Sequence, residues 1–163
     1  MDEERIIPRA SQPTLLQGPL GAILVLASAS TGGQLSVVEH PLAPRALGSP
    51  LHTHQHEDEY SIVLEGIVGV QIGEDMREAE AGSVVVKPRG VPHAFWNPTD
   101  SPARLLDIIS PGGFESYFRE LGEVLAASGP PNMAALGAVA GRYGLEMDPS
   151  SIPRLVAQYS LRL

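Results

Sequence analysis

The sequence predicts an all-β domain, an antiparallel sandwich or barrel, followed by a short α-helical tail. Three observations carry this. Short apolar runs rich in β-branched residues recur between residues 20 and 109, and turn-forming Gly, Pro, Asn and Asp separate them. After Pro111-Gly112-Gly113 the pattern changes, because Phe114, Phe118, Leu121 and Leu125 then recur at spacings of four, three and four. With no helical periodicity between the early runs, the alternating units of a parallel α/β sheet are excluded.

The elements follow in order. Strands are expected at 22–26 and 35–39, divided by Thr31-Gly32-Gly33. Two more, at 60–64 and 67–72, meet at Glu65-Gly66, and Gly73-Glu74-Asp75 turns the chain after the second. A strand at 83–86 leads into Lys87-Pro88-Arg89-Gly90, one at 94–96 ends at Asn97-Pro98, and the last covers 104–109. The first helix stops at the breaker Ser128-Gly129-Pro130-Pro131. Asn132 then caps a second helix that runs to Tyr143, with Gly144 as its stop. Residues 148–163 form a third, packed through Ile152, Leu155, Val156 and Tyr159. Two regions are therefore expected: 1–113 as the β-barrel and 114–163 as a helical extension packed on it.

A chain of 163 residues with 43% apolar and 18% charged side chains can bury one compact core. The net charge of −8 repels a phosphate backbone, so nucleic acid is not an expected partner. There is no cysteine, so any metal must be held by nitrogen and oxygen. Met1-Asp2-Glu3-Glu4-Arg5 lacks a basic leader, and the apolar stretch 20–29 is too short to span a bilayer. A cytoplasmic protein with no membrane association is the expectation.

The densest polar signal is His52-Thr53-His54-Gln55-His56-Glu57-Asp58-Glu59. In an extended strand His52 and His54 share a face, and two imidazoles there can chelate one ion. Glu59 has the opposite parity and needs the polar bend at 55–58 to swing it round. His93 follows Pro88-Arg89-Gly90-Val91-Pro92, a stiff turn that fixes the direction of its ring. His56 reads as a solvated loop residue, and His40 has nothing nearby in sequence to recruit it. Glu57 and Asp58 read as a charged hairpin tip without a role. Phe95 and Asn97 share the parity of His93 and are candidates to line a pocket, with core packing the commoner role for an aromatic; Trp96 faces the other way.

His52-x-His54-x4-Glu59-x6-Gly66 resembles the first cupin motif, with Ala46 where that motif opens on glycine and Gly48 close by. Gly82-x5-Pro88-x-Gly90-x2-His93-x3-Asn97 resembles the second, at all five marked positions. The resemblance covers residues 34–113 and implies a cupin jelly-roll β-barrel. It further implies that His52, His54, Glu59 and His93 hold one divalent transition metal ion, of Fe, Mn, Ni, Co, Cu or Zn, with coordination positions left for substrate or dioxygen. The family's usual homodimer is expected as well.

In motif layout and size the chain resembles quercetinase-like cupins, and the resemblance implies a metal-dependent dioxygenase acting on a phenolic or enolisable small molecule. Glu59, as ligand or displaced base, would be its catalytic proton acceptor. A metal-dependent isomerase or lyase of a sugar or carbonyl compound is the alternative, as is a cupin that only binds its small molecule.

Overall fold

The computed structural model describes residues 6–163, so the 1–5 segment read above for a leader lies outside the described residues. The elements among them, in chain order, are β1 (Thr14–Leu16), β2 (Ala22–Leu26), β3 (Ser36–Leu42), β4 (Leu47–His54), β5 (Asp58–Glu65), β6 (Ile67–Ile72), β7 (Asp75–Glu80), β8 (Val84–Lys87), β9 (His93–Trp96) and β10 (Ala103–Ser110). The tail adds α1 (Glu115–Ala126), α2 (Met133–Arg142), β11 (Leu145–Asp148) and α3 (Ser151–Tyr159). No helix among the described residues is long and apolar enough to cross a membrane.

The strands form two antiparallel sheets, ordered β1-β2-β3-β10-β5-β8 and β11-β4-β9-β6-β7. Inward side chains of both, among them Leu42, Val63 and Leu105 from the larger sheet and Val68, Val70 and Phe95 from the smaller, pack into one core. Alternation along β10 sets the pattern, with Ala103, Leu105, Asp107 and Ile109 buried between half-buried or exposed neighbours. The β6–β7 hairpin closes through a two-residue loop, and Gly73 at its first position takes φ 58°, which glycine adopts without steric cost.

The tail covers the sandwich on two sides. Helix α1 lies against β1, and its Tyr117 and Phe118, with Phe114 just before it, join Leu16, Leu24, Val38 and Ile109 in a second core cluster. Helix α3 covers the outer face of the smaller sheet, where Leu155 and Leu161 bury Ala94 and Trp96, and Tyr159 stacks on Trp96 at 4.4 Å. Asn132 caps α2 by accepting from the Ala135 amide, and Gly144 beyond its end takes φ 62°.

Four strands, β1, β4, β7 and β11, lie outside the expected runs, and of these only β4 is foreshadowed, by the His52-x-His54 pair. β7 and β11 are edge strands: of β7 only Ala79 is buried, and of β11 only Leu145. Charged residues dominate both, which hides the apolar alternation that marks a half-buried strand. β1 is only three residues long. The tail is thus not purely helical, because β11 pairs with β4 and sets Leu145 opposite His54 and Met147 opposite His52.

Candidate metal centre and its cavity

The smaller sheet supplies three imidazoles. His52 and His54 project inward from β4, and His93 on β9 pairs directly with His52, the two rings 4.4 Å apart. The chain then crosses between the sheets at Gln55–Glu57, and Glu59 enters from β5 of the larger sheet. The parity mismatch in the sequence is resolved by this crossing: Glu59 faces the histidines across the sandwich rather than along one strand. One ligating atom from each of His52, His54, Glu59 and His93 lies within 4.8 Å of every other, and all four residues are buried.

Local backbone aims the rings. His52 Nδ1 lies 2.9 Å from the Pro50 carbonyl and His93 Nδ1 lies 3.1 Å from that of Val91, so each Nδ1 carries the hydrogen and each Nε2 is left to the cluster. His54 Nδ1 lies 3.3 Å from Glu57 Oε2. Burial, reinforced by His93 and His54, pushes His52 well below the usual imidazole value, which keeps its lone pair free. Neutral imidazoles beside one carboxylate are the donor set that a divalent transition ion takes, so these residues fit such an ion.

Glu59 is tied on several sides. Its Oε2 accepts from Lys87 Nζ at 2.9 Å and lies 3.1 Å from His93 Nε2, and its Oε1 lies 3.5 Å from His54 Nε2. Burial alone would raise its pKa, but Lys87 and His54 outweigh burial and hold the carboxyl well below its ordinary range. Lys87 is itself buried and bonds Asp107 Oδ1 at 3.0 Å, an oxygen that also accepts from Ser61.

A cavity of about 480 Å³ opens over the cluster. His52, His54 and Glu59 form part of its lining, while Phe95, Phe114, Phe118, Leu121, Leu145 and Met147 are among its apolar walls. Tyr117 also faces it, and burial pushes that phenol up to about 12, so the hydroxyl stays neutral. No Lys or Arg lines the cavity among the described residues.

Several other sequence readings change. His40, which had no apparent role, is 1% exposed and lines the cavity. Glu57 is buried against His54 rather than waving at a hairpin tip, and Asp58 pairs with Arg89 at 2.9 Å. Asn97 does not reach the cavity; its amide donates to the Ala43 and Ser101 carbonyls and its oxygen accepts from Thr99, which staples the turn after β9. Phe95 does line the cavity, Trp96 faces away, and His56 is exposed as expected. Sequence reading missed Lys87, Asp107 and His40 as a group. Their signal, isolated polar residues at inward positions of apolar strands, becomes visible only with the strand register.

The fold is the cupin jelly roll. A cupin-domain family model matches residues 39–109 of this chain. Among curated proteins it is similar to the probable oxidoreductase virH of Hypocrea virens, 30% identical over 90 residues. That match spans 51% of this chain and 40% of the relative, so the chain accounts for well under half of that protein's length. Among solved structures it is similar to a sugar phosphate isomerase of the cupin superfamily from Silicibacter pomeroyi, at 22% identity and TM-score 0.57 over 64% of this chain and 74% of that one. KdgF from Halomonas sp. is similar at 16% identity and TM-score 0.60, over 68% and 96%. At these identities the two structures show the shared fold.

Proposed function

We propose that the protein is a metal-dependent dioxygenase acting on an apolar small molecule that carries a phenolic or enolisable oxygen. The observation behind this reading is the cavity of about 480 Å³, apolar in its walls, with His52, His54 and Glu59 at its polar end and no Lys or Arg in its lining. A charged group on the substrate away from the metal end would lose its hydration against these walls without gaining a counter-charge, at a cost of several kcal/mol. An aromatic body gains about 25 cal/mol for each Å² it removes from water.

His52, His54, Glu59 and His93 are the proposed ligands of one divalent transition ion. Such an ion, when bound, supplies Lewis acidity toward the substrate oxygen and, if redox-active, reactivity with dioxygen. The chain's own residues prepare the space. The Pro50 and Val91 carbonyls and Glu57 orient the three rings, and Phe114, stacked edge-on to His54 at 4.5 Å, shields the polar end from water. Glu59, charged through Lys87, acts first as a ligand; it is also the proposed acceptor of the substrate proton, with Asp107 retaining the Lys87 ammonium when that happens.

Oxygen uptake tests the reading. Metal-stripped protein is reloaded singly with Fe, Mn, Co, Ni, Cu or Zn and offered flavonols, catechols and β-diketones, with His54→Ala as control. Uptake that the control loses supports a dioxygenase, and no uptake with any ion or compound removes it. A Lewis-acid isomerase or lyase is the second reading, favoured by Lys87 and Asp107 beside Glu59 and by Tyr117 in the cavity wall. It turns over equally under nitrogen and with zinc, whereas a binding protein turns over nothing.

We also propose a homodimer formed through the outer face of the larger sheet. Val84 and Val86 on the edge strand β8 are 61% and 55% exposed, and Tyr60 and Leu64 on β5 are 38% and 40% exposed. Tyr60 pairs with Val86 and Ile62 with Val84, so the apolar side chains form one continuous patch. Lys87, the one charge on β8, points inward, which leaves this edge without the outward charge that ordinarily prevents pairing between sheets. A second copy offers the matching apolar face.

A further inference from the structure

On the inner face of the larger sheet a row of polar side chains crosses four adjacent strands: His40 on β3, Asp107 on β10, Ser61 and Glu59 on β5, and Lys87 on β8. The Glu59 end belongs to the candidate metal centre. The other end does not. His40 and Asp107 are 1% and 2% exposed, and both line the cavity.

Asp107 uses Oδ1 for Ser61 and Lys87. Its Oδ2 lies 3.5 Å from His40 Nε2, too long for a good hydrogen bond. His40 Nδ1 lies 2.8 Å from the Gly21 carbonyl and donates to it, and in that tautomer Nε2 is an acceptor. The rings of Phe118 and Phe95 flank the imidazole at 5.0 and 5.9 Å. Two acceptor atoms therefore stand side by side on an otherwise aromatic wall.

We propose that His40 and Asp107 form a second recognition point, one that takes a hydrogen-bond donor, foremost a hydroxyl, on an aromatic substrate whose reacting oxygen meets the metal centre. The inference rests on the reading of this cavity as the substrate site and narrows its substrate class. A hydroxyl at this point donates to Nε2, whereas an ether or carbonyl oxygen would face two acceptors, Nε2 and Oδ2, and leave buried groups unpaired. The two polar points are close, since Lys87 Nζ alone bridges Glu59 and Asp107 at 2.9 and 3.0 Å. That spacing suits two oxygens on one ring or on two fused rings. His40 is in this view a specificity-determining residue.

Binding without turnover separates this proposal from the dioxygenase reading. The full-length protein, as purified and after chelation, is titrated under nitrogen with 2-naphthol and with 2-methoxynaphthalene by calorimetry. The naphthol is expected to bind about tenfold tighter in both preparations, the size of one buried hydrogen bond. His40→Asn keeps a donor for the Gly21 carbonyl but removes the ε acceptor, and is expected to abolish the preference. His40→Gln places an amide oxygen near the ε position and is expected to retain it. A merely structural role predicts the reverse order, seen as melting temperature following Asn rather than binding following Gln. The proposal is overturned if wild type shows no preference, if His40→Asn keeps it, or if chelation alone removes it, which would assign the hydroxyl to the metal centre. None of these outcomes depends on oxygen uptake.

Discussion

Lys87 and Glu59 form an ion pair inside the sandwich, with Nζ 2.9 Å from Oε2 and the two side chains only 2% and 5% exposed. The lysine also neutralises Asp107, so one cation serves two buried carboxylates. Lys87→Met fills similar space without the charge. It should destabilise the metal-free protein by about 3–5 kcal/mol, because unpaired buried charge is left behind. A divalent ion supplies positive charge at the same place, so the melting temperature of the variant should rise more on metal loading than that of wild type. Equal shifts in the two proteins would mean that Lys87 and the ion do not share Glu59 as counter-charge.

Glu57 is the second residue whose role appears only in the structure. It is 9% exposed and faces His54 Nδ1 at 3.3 Å. If His54 is a metal ligand, this carboxylate fixes its tautomer and strengthens Nε2 as a donor. Glu57→Ala should then weaken metal binding by about 10–100-fold, read by competition against a chromophoric chelator, with the fold kept. Unchanged affinity would return Glu57 to a purely local role at the bend.

The sequence made the histidine cluster legible for a physical reason: His52 and His54 sit at period two in one strand, and the Pro and Gly residues before His93 constrain its approach. The crossing between sheets was not legible, because the polar bend at 55–58 does not say that the next strand joins the opposite layer. His40, Asp107 and Lys87 stayed hidden for a related reason. Each is a lone polar residue in an apolar run, and only the pairing of Leu105 with His40, Asp107 with Ser61, and Glu59 with Lys87 aligns them. The strand β11 was masked by its own sequence, Leu-Glu-Met-Asp, too short and too charged to stand out beside the helices.

Glu115 holds the helical roof of the cavity to the barrel. Its Oε1 accepts from the Ser28 amide at 2.8 Å and from the Ser28 hydroxyl at 2.5 Å, and its Oε2 accepts from the Gly113 amide at 2.8 Å. Burial would raise its pKa, but these hydrogen bonds prevail and hold it below the ordinary carboxylate range. A depressed folded-state pKa contributes stability that is complete above the unfolded value and is lost as pH falls through the folded one. Glu115→Gln should therefore cost roughly 1–3 kcal/mol at pH 7. The gap between variant and wild type, measured by urea unfolding, should narrow below about pH 4. A gap that is constant across that range would mean the charge contributes nothing.

The outer face of the larger sheet makes the last prediction. Its apolar patch runs across three strands, since Tyr60 pairs with Val86 on one side and Ile108 on the other, while Ile62 pairs with Val84 and Leu106. The patch ends at the free edge of β8, where a second copy can cover it, and a stable dimer buries about 800 Å² per partner. Val84→Lys with Val86→Lys places two like charges in that interface without touching the inner face, because Val85 and Lys87 are the inward residues of the strand. Sedimentation should show a dimer for wild type and a monomer for the double variant. The variant monomer should melt cooperatively and take up metal as wild type does, since the cluster lies on the other side of the sheet. A wild-type monomer at micromolar concentration, or a dimer that survives both lysines, would place self-association on another surface.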